Sequence, residues 1–90
     1  MKIVKISSLG CPSCIIMNKV FNKIKEKYDF EVEEYDIDFE HDKIEKFNIN
    51  NKIPTYIFYK DGVEVERLVG EHKEEVFENI VKEYLWKKLK

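Results

Sequence analysis

Two cysteines, Cys11 and Cys14, are the residues whose type and spacing most clearly indicate chemistry. They lie in the segment Gly10-Cys11-Pro12-Ser13-Cys14. Two intervening residues allow a single helical turn to bring both sulfur atoms within bonding distance, as a reversible disulfide requires. The spacing therefore predicts a pair that cycles between a dithiol and a disulfide.

The same spacing is also half of a zinc site, and zinc requires further ligands. His41 and His72 are the two histidines of the chain, and neither belongs to a second ligand motif. Each is more simply interpreted as a surface residue. We therefore favour redox chemistry and expect no metal site.

The position of the pair predicts a different role for each sulfur. Residues 2–7 form an apolar, β-branched stretch typical of a strand, and a helical repeat of apolar residues begins at Pro12. Unpaired N–H groups and the positive dipole end of a helix favour a thiolate at Cys11, which predicts a nucleophile near neutral pH. Cys14, one turn further in, is expected to be more enclosed and to attack the mixed disulfide that Cys11 forms.

The remaining elements follow from hydrophobic periodicity and turn residues. Asp61-Gly62 between two apolar runs is the strongest local signal, since it is typical of a tight β-hairpin turn. The predicted elements are a strand at 2–7, a helix at 12–27, a charged edge strand at 31–37, a short helix at 41–47, hairpin strands at 56–59 and 63–69, and a helix at 73–88.

This βαβαββα order predicts an α/β fold in which a mixed four-stranded sheet is flanked by three helices. The helical apolar residues are assigned to packing and not to chemistry. In the first helix they are Ile15, Ile16, Val20, Phe21, Ile24 and Tyr28, and in the last they include Phe77 and Tyr84.

Composition limits the class of protein. The 90 residues, 43% apolar and 38% charged, suit a single domain over residues 1–90. The net charge is −2 and Arg67 is the sole arginine, so a nucleic-acid partner is not expected. Lysines interrupt the apolar run of residues 1–6, which is not the pattern of a secretory or membrane-spanning segment. We expect a cytoplasmic monomer with no membrane partner.

Four segments together resemble the thioredoxin family over nearly the whole chain. They are Cys11-Pro12-Ser13-Cys14, Ile53-Pro54-Thr55, Phe58-Tyr59-Lys60-Asp61-Gly62, and Arg67-Leu68-Val69-Gly70 before the last helix. The extra strand and helix that begin a full-length thioredoxin have no counterpart here. The sequence is thus similar to a small, glutaredoxin-sized version of the thioredoxin-like fold, in which residues 31–37 lie at the sheet edge.

The resemblance implies a role for five residues. Cys11 attacks, Cys14 resolves, Pro54 is cis and binds substrate with Ile53, and Gly70 allows close approach beside the site. It also implies a thiol-disulfide oxidoreductase that reduces disulfides of proteins or small molecules. No bound cofactor is needed besides the reversible disulfide, and a reductase, with a flavin-dependent one as a candidate, would regenerate the dithiol.

Two alternatives stay open. A glutathione-coupled glutaredoxin is one, because residues 8–14 are similar to glutaredoxins. However, glutaredoxins usually carry Gly-Gly and an acidic residue after the hairpin, where this chain has Val69-Gly70-Glu71-His72. The other is a redox-inactive binding or metal-carrying module, since a fold does not determine a function.

The sequence departs from thioredoxins at three positions. Gly10 replaces the tryptophan before the first cysteine, Lys5 stands where a buried aspartate is expected, and Glu34 stands where its facing lysine is expected. One hypothesis is that Glu34, held near Lys5, takes the proton of Cys14 through a water. The simpler interpretation, which we favour, is that Lys5 extends its amine to solvent and Glu34 is one more edge charge.

Overall fold

A computed structural model describes residues 1–87 of the chain. Its elements are β1 (Lys2–Ser7), α1 (Pro12–Lys27), β2 (Glu31–Asp36), α2 (His41–Ile44) with a 3₁₀ turn (Glu45–Phe47), β3 (Thr55–Lys60), β4 (Val63–Val69) and α3 (Glu74–Lys87). This order confirms the predicted α/β fold. The bounds of α1 agree with the prediction, β2 ends one residue early, and the predicted last helical residue, 88, lies outside the described residues.

The four strands lie in the order β2-β1-β3-β4, with β2 at one edge as predicted. β1 runs parallel to β2 and antiparallel to β3, and β3 is antiparallel to β4. In this register Lys5 on β1 pairs with Glu34 on β2 and with Tyr56 on β3. Because paired residues point to the same face of a sheet, these three side chains form one row across three strands.

Each face of the sheet has its own core. One face packs against α1 and α3 through Ile3, Met17, Phe21, Ile24, Tyr56, Phe58, Leu68, Phe77 and Val81. The other packs against α2 and the segment after it through Val4, Ile6, Ile44, Phe47, Ile49 and Ile57. The rings of Phe21 and Phe77, both fully buried, are 5.8 Å apart, which confirms the packing role expected of them.

The start of α1 corrects one part of the predicted helix stripe. Ile15 and Ile16 are 56% and 50% exposed, whereas Cys14 and Met17 are buried. The buried face of the helix therefore includes the second cysteine, and the two isoleucines lie on the solvent side of the same turn. Hydrophobicity alone assigned them to the core, although a helix of 3.6 residues per turn cannot bury four successive positions.

The hairpin turn forms where it was predicted. Asp61 and Gly62 have φ angles of 53° and 79°, so both adopt the left-handed conformation that a two-residue turn of the primed type requires. Among residues 1–87, no helix is both long and apolar enough to cross a membrane.

Candidate active site

Three segments of the predicted site meet at one end of the sheet. Thr55, the first residue of β3, pairs with Ile6 near the end of β1 and with Val69 at the end of β4. The loop to Cys11 leaves from this end, Pro54 immediately precedes Thr55, and Gly70 immediately follows Val69. The strand register thus gathers the cysteine loop, the Ile53-Pro54 segment and Gly70.

Cys11 is the N-cap residue of α1 and is partly exposed. Its sulfur accepts a hydrogen bond from the backbone N–H of Cys14, with 3.1 Å between N and Sγ. A sulfur in this position satisfies one of the unpaired donors of the helix start, and it gains more when it is negatively charged. The first turn of α1 contains no acidic residue. The Cys11 sulfur is therefore held by a backbone donor at the positive end of the α1 dipole.

Cys14 lies in a contrasting environment, only 1% exposed. Burial is the largest of the effects that raise the pKa of its thiol to about 11, and hydrogen bonding to the Cys11 sulfur adds to it. The Ser8 backbone and the positive charge of Lys5 act in the opposite direction. Cys14 is thus a thiol at neutral pH, enclosed behind the more exposed sulfur as the sequence predicted.

Polar contacts that sequence reasoning missed hold the loops around the cysteines. The Ser13 hydroxyl donates to Glu71 Oε1 at 2.9 Å, and the Ser8 hydroxyl donates to Asp38 Oδ2 at 2.6 Å. The partners are 58 and 30 residues apart in the chain, so no local pattern could have indicated them. The first of these bonds ties the start of α1 to the loop after β4.

Pro54 and Gly70 are in direct contact. The Gly70 backbone N–H donates to the Pro54 carbonyl at 2.8 Å, and the Ile53–Pro54 peptide bond is cis. Pro54 is buried and Ile53 is half-buried. A Cβ at Gly70 would meet no heavy atom within 4 Å, so close approach within the described chain is not what requires glycine there. The requirement is its φ of +82°, which side chains of L residues rarely adopt.

Lys5 does not extend its amine to solvent, and that interpretation is wrong. The residue is 8% exposed, its Nζ lies 5.2 Å from the centroid of the Phe21 ring, and Glu34 Oε1 is 3.9 Å from Nζ. The reason is the sheet order, which places β1 between β2 and β3. The Glu34 side chain, on the edge strand, is 57% exposed.

Tyr56 is a residue of the site that sequence reasoning did not identify. It is fully buried beside Lys5, and within the described part of the chain its hydroxyl has no hydrogen-bond partner. Burial most strongly raises the pKa of this hydroxyl, followed by the negative charges of Cys14, Glu34 and Cys11. Nothing in the sequence distinguishes Tyr56 from other core residues until the strand register places it next to Lys5.

The two histidines lie apart from the cysteine pair. His41 is exposed at the start of α2, and the His72 ring contacts the Val69 carbonyl at 3.0 Å. Across residues 1–87 there is no group of three or more His, Cys, Asp or Glu side chains that could hold a metal ion.

The strand order defines the class of thioredoxin-fold dithiol proteins, together with a cysteine pair at the start of α1 and a cis proline before β3 at the same end of the sheet. The family model described as Thioredoxin matches residues 1–83. The chain belongs to the thioredoxin family. In this family the cysteine pair itself carries the electrons as a reversible disulfide, so the chemistry needs no bound cofactor.

Relatives with curated names support the same assignment. Thioredoxin H-type from Oryza sativa subsp. indica is 31% identical over 81 residues, which cover 89% of this chain and 66% of that protein. Thioredoxin H2 from Arabidopsis thaliana is 27% identical over 81 residues, covering 89% and 60%. This chain therefore spans somewhat less than two thirds of the length of these relatives.

Solved structures agree with the fold. Thioredoxin 1 from Thermosipho africanus TCF52B superimposes with a TM-score of 0.87 over 100% of both chains at 21% identity, a level that supports the fold alone. Thioredoxin NaTrxh from Nicotiana alata superimposes with a TM-score of 0.78 at 33% identity, covering 90% of this chain and 70% of that one.

Proposed function

We propose that this protein is a thiol-disulfide oxidoreductase that reduces disulfides of proteins or small molecules with the Cys11–Cys14 pair. One observation carries the proposal: the Cys11 sulfur accepts the Cys14 backbone N–H at the start of α1, while the Cys14 sulfur is buried directly behind it. The first sulfur is thereby prepared as a nucleophile, and the second is kept protonated until it is needed.

The reaction follows from this difference. The Cys11 thiolate attacks one sulfur of the substrate disulfide, forms a mixed disulfide and releases the other substrate sulfur as a thiolate. Cys14 then loses its proton and attacks the Cys11 sulfur, and the bond between Cys11 and the substrate breaks. The substrate gains two electrons and two protons as two thiols, and the protein retains a Cys11–Cys14 disulfide.

The surface around Cys11 supports a role for Ile53, Pro54 and Gly70 in substrate binding. The Ile53-Pro54 segment lies at the sheet end from which the cysteine loop leaves, and the Gly70 N–H holds the Pro54 carbonyl. An extended substrate segment could pair with such a backbone as an added strand. Leu9, two residues before Cys11 in the chain, is 81% exposed. Together with the exposed Ile15 and Ile16 it offers apolar contact area near the reactive sulfur.

The proposal extends to the electron donor, the compartment and the oligomeric state. A reductase, with a flavin-dependent one as the candidate, would return the disulfide to the dithiol. A monomeric, cytoplasmic protein stays a prediction from the sequence. Glutathione is the less favoured partner, because the chain has Val69-Gly70-Glu71-His72 where glutaredoxins usually carry Gly-Gly and an acidic residue.

The proposal is tested by insulin reduction with dithiothreitol as the donor. We expect turnover with the native chain, loss of turnover to the rate of dithiothreitol alone in Cys11→Ser, and a trapped mixed disulfide in Cys14→Ser, identified by mass spectrometry. Lys19→Ser changes an exposed residue of the same helix, keeps both thiols and serves as the control.

A native protein that does not accelerate insulin reduction would contradict the proposal. Activity that requires glutathione, and that survives in Cys14→Ser, would instead identify a glutaredoxin. Two slowly alkylated thiols together with a stoichiometric metal in the purified protein would identify a metal-carrying module.

A further inference from the structure

Two serines on either side of Cys11 each hold a carboxylate from another loop. The Ser8 hydroxyl donates to Asp38 Oδ2 at 2.6 Å, and the Ser13 hydroxyl donates to Glu71 Oε1 at 2.9 Å. Asp38 lies between β2 and α2, whereas Glu71 lies between β4 and α3. The two carboxylates therefore reach the cysteine loop from different segments, and both hydrogen bonds are exposed to solvent.

Both carboxylates lie near the Cys11 sulfur. Ser8 and Cys11 close one turn, because the Cys11 backbone N–H donates to the Ser8 carbonyl at 3.3 Å. Ser13 belongs to the first turn of α1, whose N-cap is Cys11. These short connections place each carboxylate on the order of 10 Å from the sulfur, a distance over which charges interact when the salt concentration is low, since the Debye length is about 10 Å at 0.1 M.

No basic side chain neutralises these two carboxylates within residues 1–87, because none of the ion pairs there includes Asp38 or Glu71. Lys52, just before the Ile53-Pro54 segment, and Lys73, two residues after Glu71, are both exposed. No hydrogen bond or ion pair within the described residues holds either amine. Their charges move with flexible side chains, whereas the two carboxylates are fixed beside the cysteine loop.

Exposed apolar side chains accompany the fixed charges. Leu9 follows Ser8 and Phe39 follows Asp38 in the chain, so the hydrogen bond between the serine and the aspartate brings their two loops together. Leu9 is 81% exposed and Phe39 is 78% exposed. The surface beside the nucleophile thus combines apolar area with negative charge, which complements a chain segment that has both apolar and basic residues.

We propose that the protein selects disulfides of polypeptide segments that carry lysine or arginine together with apolar residues beside the cysteine, an inference that rests on the proposed function. Asp38 and Glu71 attract the basic side chains, and Leu9 and Phe39 contact the apolar ones. The same carboxylates repel a disulfide of net negative charge, such as oxidised glutathione. The electrons move as in the proposed reaction: the substrate disulfide becomes two thiols, and the dithiol of the protein becomes a disulfide.

The probe is a pair of synthetic peptides of one design, each with leucines beside its single disulfide, flanked by lysines in one and by glutamates in the other. Each peptide oxidises the dithiol protein, and the reaction is quenched with iodoacetamide and quantified by mass spectrometry. Each rate is divided by the rate with dithiothreitol under the same conditions, which removes the intrinsic reactivity of the peptide. The native protein should react about tenfold faster with the lysine peptide at about 0.01 M salt, and the two rates should converge near 1 M salt.

Glu71→Gln and Asp38→Asn remove a charge but keep an oxygen that accepts the serine hydroxyl, so the loops stay tied. Each should lower the preference for the lysine peptide about threefold at low salt, and the double variant should abolish it. Glu26→Gln is the matched control. It changes the net charge equally at an exposed position in the last turn of α1, about 20 Å along the helix from its start, and should leave the preference unchanged.

The apolar contribution is measured with Leu9→Ser and Phe39→Ser. Because neither variant changes a charge, each should slow both peptides by the same factor, about threefold, and leave their ratio unchanged. Val63→Ser is the control, since Val63 is 62% exposed at the hairpin and lies at the other end of the sheet. It should change neither rate.

Equal rates for the two peptides at low salt overturn the proposed selection, and so does a faster reaction with the glutamate peptide. A preference that persists in the double variant, or that salt does not weaken, shows that these carboxylates do not determine it. Native rates in both Leu9→Ser and Phe39→Ser overturn the apolar contact. A native protein that is oxidised by neither peptide would overturn the proposed function itself, so the two failures are distinguishable.

Discussion

Two sulfur atoms three residues apart occupy opposite regions of this molecule. Cys11 lies at the entrance, where the start of α1, the cis Ile53–Pro54 bond and Gly70 meet at the surface. Cys14 lies in the interior region, between the helix and the sheet, with Lys5 and Tyr56 on the facing strands. At the entrance a backbone N–H holds the sulfur, whereas in the interior burial has the largest effect on the pKa of the thiol. The proposed function accordingly makes the exposed cysteine the nucleophile and the buried cysteine the reserve thiol.

The largest expected effect separates the two sulfurs by reactivity. With its pKa raised to about 11, Cys14 is ionised in about one molecule in ten thousand at pH 7. Alkylation with iodoacetamide should therefore modify Cys11 first. Because a raised thiol pKa disfavours the anion, the Cys14 rate should rise about tenfold per pH unit until pH approaches 11.

Variants that lack one of the two cysteines measure the reactivity of each sulfur separately. Cys14→Ser reports Cys11 alone and Cys11→Ser reports Cys14, although the second variant also removes a hydrogen-bonding sulfur that contributes to the raised pKa. Mass mapping of the native protein after brief alkylation therefore supplies the control. Equal rates for both cysteines at pH 7 would contradict the division between entrance and interior.

A smaller effect is expected from the charge in the interior. The positive charge of Lys5 opposes the rise in the Cys14 pKa but is the smallest of the effects on it, so Lys5→Met should raise that pKa further and slow Cys14 alkylation only a few-fold at a given pH. Methionine fills similar space without a charge, and the partner left behind, Glu34, is 57% exposed and stays hydrated. Alkylation followed by mass spectrometry between pH 8 and 10 measures the change.

Lys2→Met is the matched control for this variant. Lys2 lies on the same strand and forms the same kind of cross-strand ion pair, with Nζ 3.2 Å from Glu33 Oε1, but it does not act on Cys14. We expect it to leave the alkylation rate of Cys14 unchanged. A Lys5→Met protein with native Cys14 reactivity would show that burial alone determines this thiol.

The entrance could be predicted largely from local sequence, and the interior could not. The cysteine spacing, Pro12 in the first turn and the Asp61-Gly62 turn each act within a few residues, so the helix start and the hairpin form where they were predicted. Gly70 was predicted to allow close approach beside the site, which stays a prediction, and the structure adds that its φ of +82° favours glycine.

The interior depends on which strands become neighbours, and no local pattern contains that information. Lys5 was expected to reach solvent, but the sheet order encloses it between β2 and β3. Tyr56 belongs to a strongly apolar strand and resembles any other core residue until its pairing with Lys5 is known. A residue in the middle of a sheet thus acquires its surroundings from segments about 30 to 50 residues away.

The smallest expected effect concerns the backbone of the entrance. Gly70→Ala places a Cβ in open space, so the cost comes from the φ of +82° and should be about 1 kcal/mol of the free energy of unfolding. The change should also disturb the 2.8 Å bond from the Gly70 N–H to the Pro54 carbonyl, and so lower insulin reduction without altering Cys14 alkylation. Gly10→Ala is the control, because that Cβ also meets nothing within 4 Å and Gly10 has no positive φ. It should be neutral or slightly stabilising in urea unfolding. Equal losses in the two variants would show that conformation at Gly70 does not maintain the entrance.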